Sequence, residues 1–190
     1  MKISKEQVAE NRERILGAAS ELFRERGFGG VTVAEIMNAA GLTHGAFYGH
    51  FGSKDDLITQ ASSYTLARAN YPEGQEPALP VYAAGYLSEQ RRDRPDMACA
   101  FAALGSEVAR ASDETRHAFT ESVERQIVMF SKSAAGKTAA ERRRNAIVAW
   151  SAMLGAMTLA RMVNDPALSD ELLRETRKAL GAEGATEKKH

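Results

Sequence analysis

Residues 32–54 hold most of the side chains whose types and spacing could support a specific chemistry. A hydroxyl, an imidazole, two small residues and a phenol fall within six positions, at Thr43, His44, Gly45, Ala46 and Tyr48. An imidazole can bond to a purine edge, and a methyl group can contact the methyl of thymine. Small residues let a backbone come close to its partner. This combination is typical of a helix that enters the major groove of DNA.

Phosphate contacts are the second chemistry that this stretch suggests. Lys54 follows Ser53 at the start of a predicted helix, where a phosphate would meet an ammonium group and free helix amides. Thr32 begins an earlier helix and offers a second such site, and the Tyr48 hydroxyl has the reach for a phosphate. The alternative is that Thr32 and Ser53 serve only as helix caps, and that His44 and Tyr48 are exposed without a partner.

Four predicted helices position these side chains. A capping pattern, with Ser or Thr followed three residues later by Gln, Glu or Asp, recurs three times within residues 4–56. Thr43 is the predicted cap of a very short helix between the last two. Gly27 and Gly41 end the first two helices, because glycine takes the left-handed conformation at little cost. The apolar residues expected to face the core are Val8, Ile15, Ala18, Ala19, Leu22, Phe23, Ile36, Ala39, Ala40, Leu42, Phe47 and Phe51.

Gly45 and Gly49 are unusual in so short a helix, because each glycine in a helix costs about 1 kcal/mol relative to alanine. A close approach of the backbone to another molecule would offset that cost. This pair is therefore a better sign of a bound partner than His44 or Tyr48.

The remainder of the chain also has helical patterning, with no internal repeat and no strand-like alternation of useful length. Residues 70–80 contain three prolines and a glycine and form a predicted loop. Pro80 and Pro95 fall where the first turn of a helix tolerates proline. The helices predicted beyond the loop span residues 80–92, 96–111, 113–134, 138–164 and 167–181. The residues from Ala182 are polar and are expected to fray.

Composition limits the classes of function. The chain has 190 residues, of which 44% are hydrophobic, enough for a core. Its formal net charge is zero, and seven basic against six acidic residues give residues 1–54 only +1. DNA affinity must therefore come from placed charges and from pairing two copies of the domain. The single cysteine, the charged start and the lack of a long apolar run predict a cytoplasmic protein without a membrane segment.

Residues 10–60 resemble the N-terminal signature of the TetR (tetracycline-repressor) family of transcriptional regulators. The matching runs are Thr32-Val-Ala-Glu-Ile36, Ala40-Gly41-Leu42, Gly45-Ala-Phe47-Tyr48-Gly-His50-Phe51 and Ser53-Lys54, followed by Leu57. The rest of the chain shows no comparable signature, as the variable ligand domains of that family lead one to expect.

The resemblance implies an all-α protein. Its N-terminal three-helix helix-turn-helix DNA-binding domain would span residues 1–53. A helical domain for ligand binding and dimerisation would span 54–181, linked through a helix over 54–69, with a disordered tail over 182–190. The resemblance further implies a homodimer that binds a palindromic operator in double-stranded DNA. Such a regulator usually represses and is released by a small molecule bound in the C-terminal domain.

Carried over by position, the resemblance divides the expected DNA contacts into two sets. The residues near bases would be Thr43, His44, Gly45, Ala46 and Gly49. The residues near the phosphate backbone would be Thr32, Tyr48, His50 and Lys54. Gly49 departs from the family, which often has a larger side chain there, so specificity would lean more on DNA shape.

Two stripes at helical spacing near the C-terminus suggest the dimer interface, as a four-helix bundle with a two-fold axis. They are Ile147, Trp150, Leu154, Met157 and Arg161 on one helix, and Leu168, Leu172, Thr176 and Leu180 on the next. The alternative is that both stripes pack inside one subunit.

The small-molecule site is expected among the central helices, with apolar walls and a few polar groups. Candidate wall residues are Tyr82, Tyr86, Met97, Phe101, Leu104, Met129 and Phe130. Methionine is adaptable, so such a pocket would take varied apolar or aromatic effectors. Each of these residues could instead be plain core.

Three other functions have weaker support. Cys99 could sense oxidants or electrophiles, but its apolar neighbours favour burial, and a reactive thiol needs access to solvent. An architectural DNA binder without a ligand would need a closed, fully packed central domain. An enzyme is not expected, nor is a metal or cofactor. The chain has no nucleophile elbow, phosphate loop, paired-histidine metal site or dinucleotide fingerprint.

Overall fold

The computed structural model describes residues 4–72, 74–94 and 98–185. Helices form the regular structure of these residues, among which there is no β-strand. The all-α class predicted from the sequence is confirmed. Within these ranges, no helix combines the length and the apolar character needed to span a membrane.

Four helices follow one another near the N-terminus. They are α1 (Lys5–Arg26), α2 (Val33–Ala39), a 3₁₀ helix (His44–Gly49) and α3 (Lys54–Arg68). The predicted caps are confirmed for the three α-helices, since Ser4, Thr32 and Ser53 each accept a hydrogen bond from the third amide of their helix. Gly27 and Gly41 follow α1 and α2 with φ angles of 74° and 68°. Both helices therefore end where the sequence predicts.

The core of these four helices differs from the prediction at two positions. Ile15, Phe23, Ile36 and Phe47 are buried as expected. Val8 is 40% exposed, because it lies about two turns before the first buried residue of α1. Ala39 is exposed as well, and the neighbouring Met37 is buried in its stead.

The C-terminal two-thirds of the chain holds six further helices within the described residues. They are α4 (Leu79–Tyr86), α5 (Glu89–Arg92), α6 (Ala100–Val108), α7 (Asp113–Ser131), α8 (Ala139–Met162) and α9 (Pro166–Ala179). The last three agree with the predicted helices to within a few residues at each end.

Two predicted helices are corrected. The helix expected over 80–92 is broken, because Ser88 is extended and its hydroxyl both caps α5 and donates to the carbonyl of Gly85. The helix expected over 96–111 begins only at Ala100 and ends at Val108. The predicted role of Pro95 in a first helical turn lies outside the described residues.

The predicted tail is corrected at its first residue. Ala182 is 1% exposed and belongs to the C-terminal core. Gly181, with a φ of 62°, ends α9, and the Ala182 amide donates to the carbonyl of Arg177 at 2.9 Å. This pattern satisfies carbonyls that the helix end would otherwise leave without partners. Residues 186–190 of the predicted tail lie outside the described residues.

Contacts group the chain into two compact units. The first comprises Met1–Asn70 with Ala103–Glu121, and the second comprises Tyr71–Ala102 with Ser122–His190. The predicted domains, 1–53 and 54–181, divide the chain by function and stay a prediction.

Candidate nucleic-acid interface

The 3₁₀ helix is anchored by one buried aromatic residue. Phe47 is 1% exposed and stacks on Phe51 with ring centroids 5.7 Å apart. The turn before it is closed by backbone bonds, with the Leu42 amide donating to Met37 and the Gly41 amide to Asn38, both at 2.9 Å. The opposite side of the 3₁₀ helix therefore faces solvent on a rigid support.

The predicted base-reading residues lie on that solvent side. Thr43, His44, Gly45 and Gly49 are exposed, and Ala46 is half-buried. Thr43 corrects one expectation: it occupies the cap position, but its side chain makes no capping bond. The first turn is closed by backbone instead, since the Ala46 amide donates to the Thr43 carbonyl at 3.0 Å. The hydroxyl of Thr43 is therefore not needed to build the helix.

Gly45 and Gly49 are not required by the fold. A Cβ built on either residue meets no atom within 4 Å, apart from its own local backbone. Neither residue has a positive φ. Their small size leaves bare backbone on the exposed face, which is the property that a close approach to another molecule would use.

Lys54 and Tyr48 differ in exposure and in their hydrogen bonds within the protein. The Tyr48 side chain is 72% exposed. The Lys54 side chain is half-buried, and its Nζ donates to the carbonyl of Phe28 at 2.6 Å. An ammonium group carries three protons, so this bond fixes the position of the charge while leaving donors for another acceptor.

Thr32 is more fully occupied than the sequence suggests. Its hydroxyl donates to Glu35 Oε2 at 2.7 Å, and its amide donates to the same oxygen at 2.8 Å. A phosphate at this helix start would have to rest on the remaining amides of the first turn of α2. Arg26, 2.8 Å from Glu35 Oε1, offsets the negative charge there.

The ionisation of Glu35 follows from these bonds. The hydrogen bonds from Thr32, first from its side chain and then from its backbone, lower the pKa of Glu35 to about 2, and Arg26 adds to the effect. Hydrogen bonds to the charged form of a carboxyl stabilise that form. The capping box of α2 is thus held by a carboxylate and not by a carboxylic acid.

The start of α3 has a similar network. Asp56 accepts hydrogen bonds from the Gln60 side chain at 2.6 Å and from the Gly52 amide at 2.9 Å, and these bonds, the first more than the second, lower the pKa of Asp56. The Ser53 hydroxyl accepts a hydrogen bond from the Asp56 amide at 3.0 Å. The amides of the first two residues of α3 remain for an outside acceptor.

His50 is half-buried beside Phe51, with ring centroids 6.4 Å apart. Its Nδ1 is buried and has no hydrogen-bond partner among the described residues. Any phosphate contact by this residue therefore falls to its other ring nitrogen.

The residues predicted to form a ligand pocket do not all lie together. Tyr82 stacks on Tyr86 at 5.8 Å and meets Phe130 edge-on at 4.9 Å. Phe101 and Met129 pack against the same core of the second unit. Leu104 belongs to the first unit, and Met97 lies outside the described residues.

One polar atom within this aromatic cluster has no nitrogen or oxygen partner among the described residues, although the Cys99 thiol interacts with it. This atom is the buried hydroxyl of Tyr86. Burial raises the pKa of both Tyr82 and Tyr86, so both phenols are neutral at physiological pH. Cys99 is half-buried and packs against the same core. No group of three His, Cys, Asp or Glu side chains in the described residues could hold a metal ion.

The predicted dimer stripe on α8 is corrected. Trp150 and Met157 are 5% and 1% exposed within one chain, so they cannot face a partner. Arg161 bonds to the carbonyls of Arg91 and Arg92 at 2.7 and 3.1 Å. Trp150 and Met157 therefore pack inside one subunit, and Arg161 is half-buried against α5.

Other residues of the two stripes have different surroundings. Ile147 on α8 and Leu168 on α9 are partly exposed. Leu154, Leu172 and Leu180 are partly buried against the core, and the Thr176 hydroxyl donates to the Leu172 carbonyl.

A stripe that the sequence reading missed is exposed on α8. Val148, Leu159 and Met162 are 62%, 48% and 73% exposed, and the exposed Gly155 lies between them. Their positions repeat at intervals of seven, four and three, the spacing of one helical face. The pattern is present in the sequence, but the stripe through Trp150 and Met157 has the same helical spacing, and spacing alone does not tell the two apart.

Known proteins match the N-terminal part of the chain in sequence. Residues 15–61 match the family model described as bacterial regulatory proteins, tetR family. The HTH-type transcriptional repressor BepR of Brucella suis biovar 1 (strain 1330) is 41% identical over 73 residues, 38% of this chain and 33% of that protein. The HTH-type transcriptional regulator AcrR of Shigella flexneri is 37% identical over 70 residues, 37% of this chain and 32% of that protein. The matches span about a fifth to a third of the curated relatives.

Solved structures are similar over most of the chain. The reduced form of E. coli NemR superposes with a TM-score of 0.70 at 20% identity, covering 90% of this chain and 94% of that one. A TetR-family transcriptional regulator from Agrobacterium tumefaciens gives 0.69 at 22% identity, covering 91% and 98%. At these identities the likeness shows the fold alone. The family model over residues 15–61 confirms the resemblance of the N-terminal segment to the TetR family, and the curated relatives are named as regulators and repressors.

Proposed function

The chain belongs to the tetR family of bacterial regulatory proteins through residues 15–61, and from this premise we propose that it is a DNA-binding transcriptional regulator. In this proposal it binds a palindromic operator as a homodimer, represses transcription, and leaves the DNA when a small molecule binds its C-terminal unit. The relatives named above as a repressor and a regulator support the class of function.

One observation carries the DNA-binding part of the proposal. The exposed face of the 3₁₀ helix holds two glycines that the fold does not require, beside a 72% exposed tyrosine. Bare backbone, a hydroxyl and an imidazole on one rigid face suit close contact with base edges. We assign base contacts to Thr43, His44, Gly45, Ala46 and Gly49.

Phosphate contacts are assigned to residues around this face. Tyr48 and Lys54 are the stronger pair, since one is exposed and the other has a fixed ammonium group with donors to spare. Thr32 would act through the amides that follow it, and His50 through its second ring nitrogen. Such contacts position a protein on DNA without reading its sequence.

Dimerisation is assigned to α8 and α9. Isolated apolar residues on a surface need no explanation, but a continuous stripe at helical spacing is typical of helix–helix contact. Val148, Gly155, Leu159 and Met162 form such a stripe on α8, and Leu168 on α9 is also exposed. A glycine within the stripe would let two helices approach closely. A two-fold axis through this face would pair it with its own copy.

The effector site is assigned to the aromatic cluster of the second unit. Tyr82, Tyr86, Phe101 and Phe130 pack in one core and would form the apolar walls of the site, with the buried Tyr86 hydroxyl as one polar anchor. An apolar or aromatic effector with a single hydrogen-bonding group fits this chemistry. A screen for compounds that raise the melting temperature and also release DNA tests this part. Compounds that only raise the melting temperature would count against effector control of DNA binding.

Selection from random duplexes tests the DNA-binding part. The full chain is incubated with a library of random DNA, and bound duplexes are recovered and sequenced through several rounds. We expect a palindromic motif to be enriched and its affinity to fall steeply as salt rises. Recovery of unselected sequences at every salt concentration would refute sequence-specific binding.

A further inference from the structure

A carboxylate from far along the chain reaches the turn that follows α1. Glu107, on α6, accepts a hydrogen bond from the backbone amide of Phe28. Residues 103–121 belong to the same compact unit as the N-terminal helices. The same segment makes a second polar contact there, between the hydroxyls of Thr115 and Thr59 at 2.7 Å. Residues 103–121 therefore hold the N-terminal helices at two polar points.

The carbonyl of Phe28 is held as well. It accepts from Lys54 Nζ at 2.6 Å, so a carboxylate and an ammonium group fix the two polar groups of one residue. The Phe28 ring is buried and packs edge-on against Phe23, with ring centroids 5.3 Å apart. With its side chain packed and both backbone groups bonded, Phe28 offers the Lys54 ammonium group an acceptor at a fixed place.

The turn is shaped to admit the carboxylate. Gly27 has a φ of 74°, and a Cβ on this residue would overlap the carboxylate of Glu107. The glycine therefore serves two purposes, the left-handed turn and the close approach of Glu107. A contact that constrains both the backbone and the residue type of its neighbour is a specific one.

We propose that Glu107 is a positioning residue for DNA binding, which acts by fixing Phe28 and through it the ammonium group of Lys54. The inference rests on the proposed function, because it assumes that Lys54 contacts a phosphate. Without the bond to Glu107, the turn at Phe28 loosens. The Phe28 carbonyl then no longer holds the Lys54 ammonium group in one position. Ordering a long lysine side chain in advance lowers the entropy lost on binding.

Charge alone predicts the opposite effect. DNA is a polyanion, so removing a carboxylate near the binding surface strengthens binding if only electrostatics matter. Positioning predicts that removing this carboxylate weakens binding. The sign of the change therefore distinguishes the two.

The experiment measures operator affinity for variants of the full chain, using the duplex obtained by selection. Glu107→Ala removes the acceptor, whereas Glu107→Gln keeps an acceptor oxygen and loses the charge. Glu114→Ala removes an exposed carboxylate of the same unit that lies on the first turn of α7. Thr115→Val breaks the second polar contact without touching Phe28.

We expect Glu107→Ala to weaken operator binding about tenfold, as loss of a charge-assisted hydrogen bond would. Glu107→Gln should bind within about twofold of the unaltered protein. Glu114→Ala and Thr115→Val should bind as the unaltered protein does. If Glu107→Ala bound as tightly as Glu114→Ala, or if Thr115→Val weakened binding as much as Glu107→Ala, the positioning role would be overturned.

A double-mutant cycle tests the route through Lys54. In a Lys54→Ala background, Glu107→Ala should change affinity by less than about twofold, because the group that it positions is gone. Full additivity of the two changes would overturn the inference. Failure of the proposed function looks different, since the unaltered protein would then select no operator at all.

Discussion

Thr32 and Glu35 form a reciprocal capping box at the start of α2. The Thr32 hydroxyl donates to Glu35 at 2.7 Å, and the Glu35 amide donates back to the same hydroxyl at 3.2 Å. The Glu35 carboxylate also accepts a hydrogen bond from the Thr32 amide at 2.8 Å. The start of α2, and with it the approach to the 3₁₀ helix, therefore depends on one ionised group.

Acid should loosen this helix start. The pKa of Glu35 is lowered from 4.5 to about 2 in the folded chain, so its contribution to stability is complete above pH 4.5 and is lost as the pH falls towards 2. The carboxyl carbon of Glu35, followed by NMR through an acid titration, should report the low pKa. Thr32→Ala should raise that pKa more than Arg26→Ala does, because the bond from the Thr32 hydroxyl is its largest single cause and the substitution leaves the backbone amide in place. An equal or larger rise with Arg26→Ala would contradict this assignment.

Substitutions on the DNA face should separate affinity from sequence preference. Lys54→Ala and Tyr48→Phe should weaken binding to all duplexes, with the salt slope for Lys54→Ala smaller by about 1. His44→Ala should change the preferred base at one operator position. Gel shifts across a panel of operator variants measure both effects, with Lys178→Ala on α9 as the matched control. Unchanged affinity and unchanged preference in all three variants would show that the assigned docking is wrong.

Alanine substitutions at the two glycines of the 3₁₀ helix should leave the fold stable but should weaken DNA binding. Gly45→Ala and Gly49→Ala place a methyl group in open space, so stability should hold or rise by up to about 1 kcal/mol. Operator affinity should fall at least about fivefold, because the methyl group holds the backbone away from the bases. Thermal unfolding and gel shifts measure the two quantities. Gly17→Ala in α1, also in open space, should leave affinity unchanged.

A charge within the exposed stripe of α8 should dissociate the dimer. Val148→Asp places a carboxylate where two copies of the stripe would meet, and burying an unpaired charge is costly. Val128→Asp makes the same substitution on α7, at a residue of similar exposure, and should leave the dimer intact. Light scattering coupled to gel filtration gives the mass of each variant. A dimeric Val148→Asp protein, or a monomeric Val128→Asp protein, would place the interface elsewhere.

The buried hydroxyl of Tyr86 should cost stability when no effector is bound. Tyr86→Phe removes a buried polar atom that has no nitrogen or oxygen partner in the described part of the chain, so the melting temperature should stay the same or rise. Tyr71→Phe, at a 43% exposed residue, serves as the control and should have no effect. A clear drop in melting temperature for Tyr86→Phe would mean that the hydroxyl has a partner in solution. An effector that uses this anchor should also protect the Tyr86→Phe protein less than the unaltered one.

Local rules explain what the sequence predicts well. The caps at Ser4, Thr32 and Ser53 and the stops at Gly27 and Gly41 each depend on residues within one or two helical turns. Such signals survive in almost any tertiary surrounding. The exposed face of the 3₁₀ helix follows directly from them, because Phe47 can point only towards the core.

The failures come from contacts that span long stretches of chain. Glu107 and Phe28 are 79 positions apart, and no local pattern marks that carboxylate as different from its neighbours. Trp150 and Met157 have the spacing of an interface, but whether such a stripe faces a partner or its own core depends on packing. Ser88 is itself a signal for the break, since serine is a strong helix cap, but the apolar Tyr86 and Leu87 before it favour one continuous helix.

The end of α9 sets a limit on how the chain can be shortened. Ala182 is buried and its amide closes the last turn of the helix, so a truncation after Leu180 would remove the residue that covers this corner of the core. A cut or fusion placed after Ala185 keeps that closure. Tags for purification or immobilisation therefore belong after Ala185, or ahead of the first turn of α1, which is exposed.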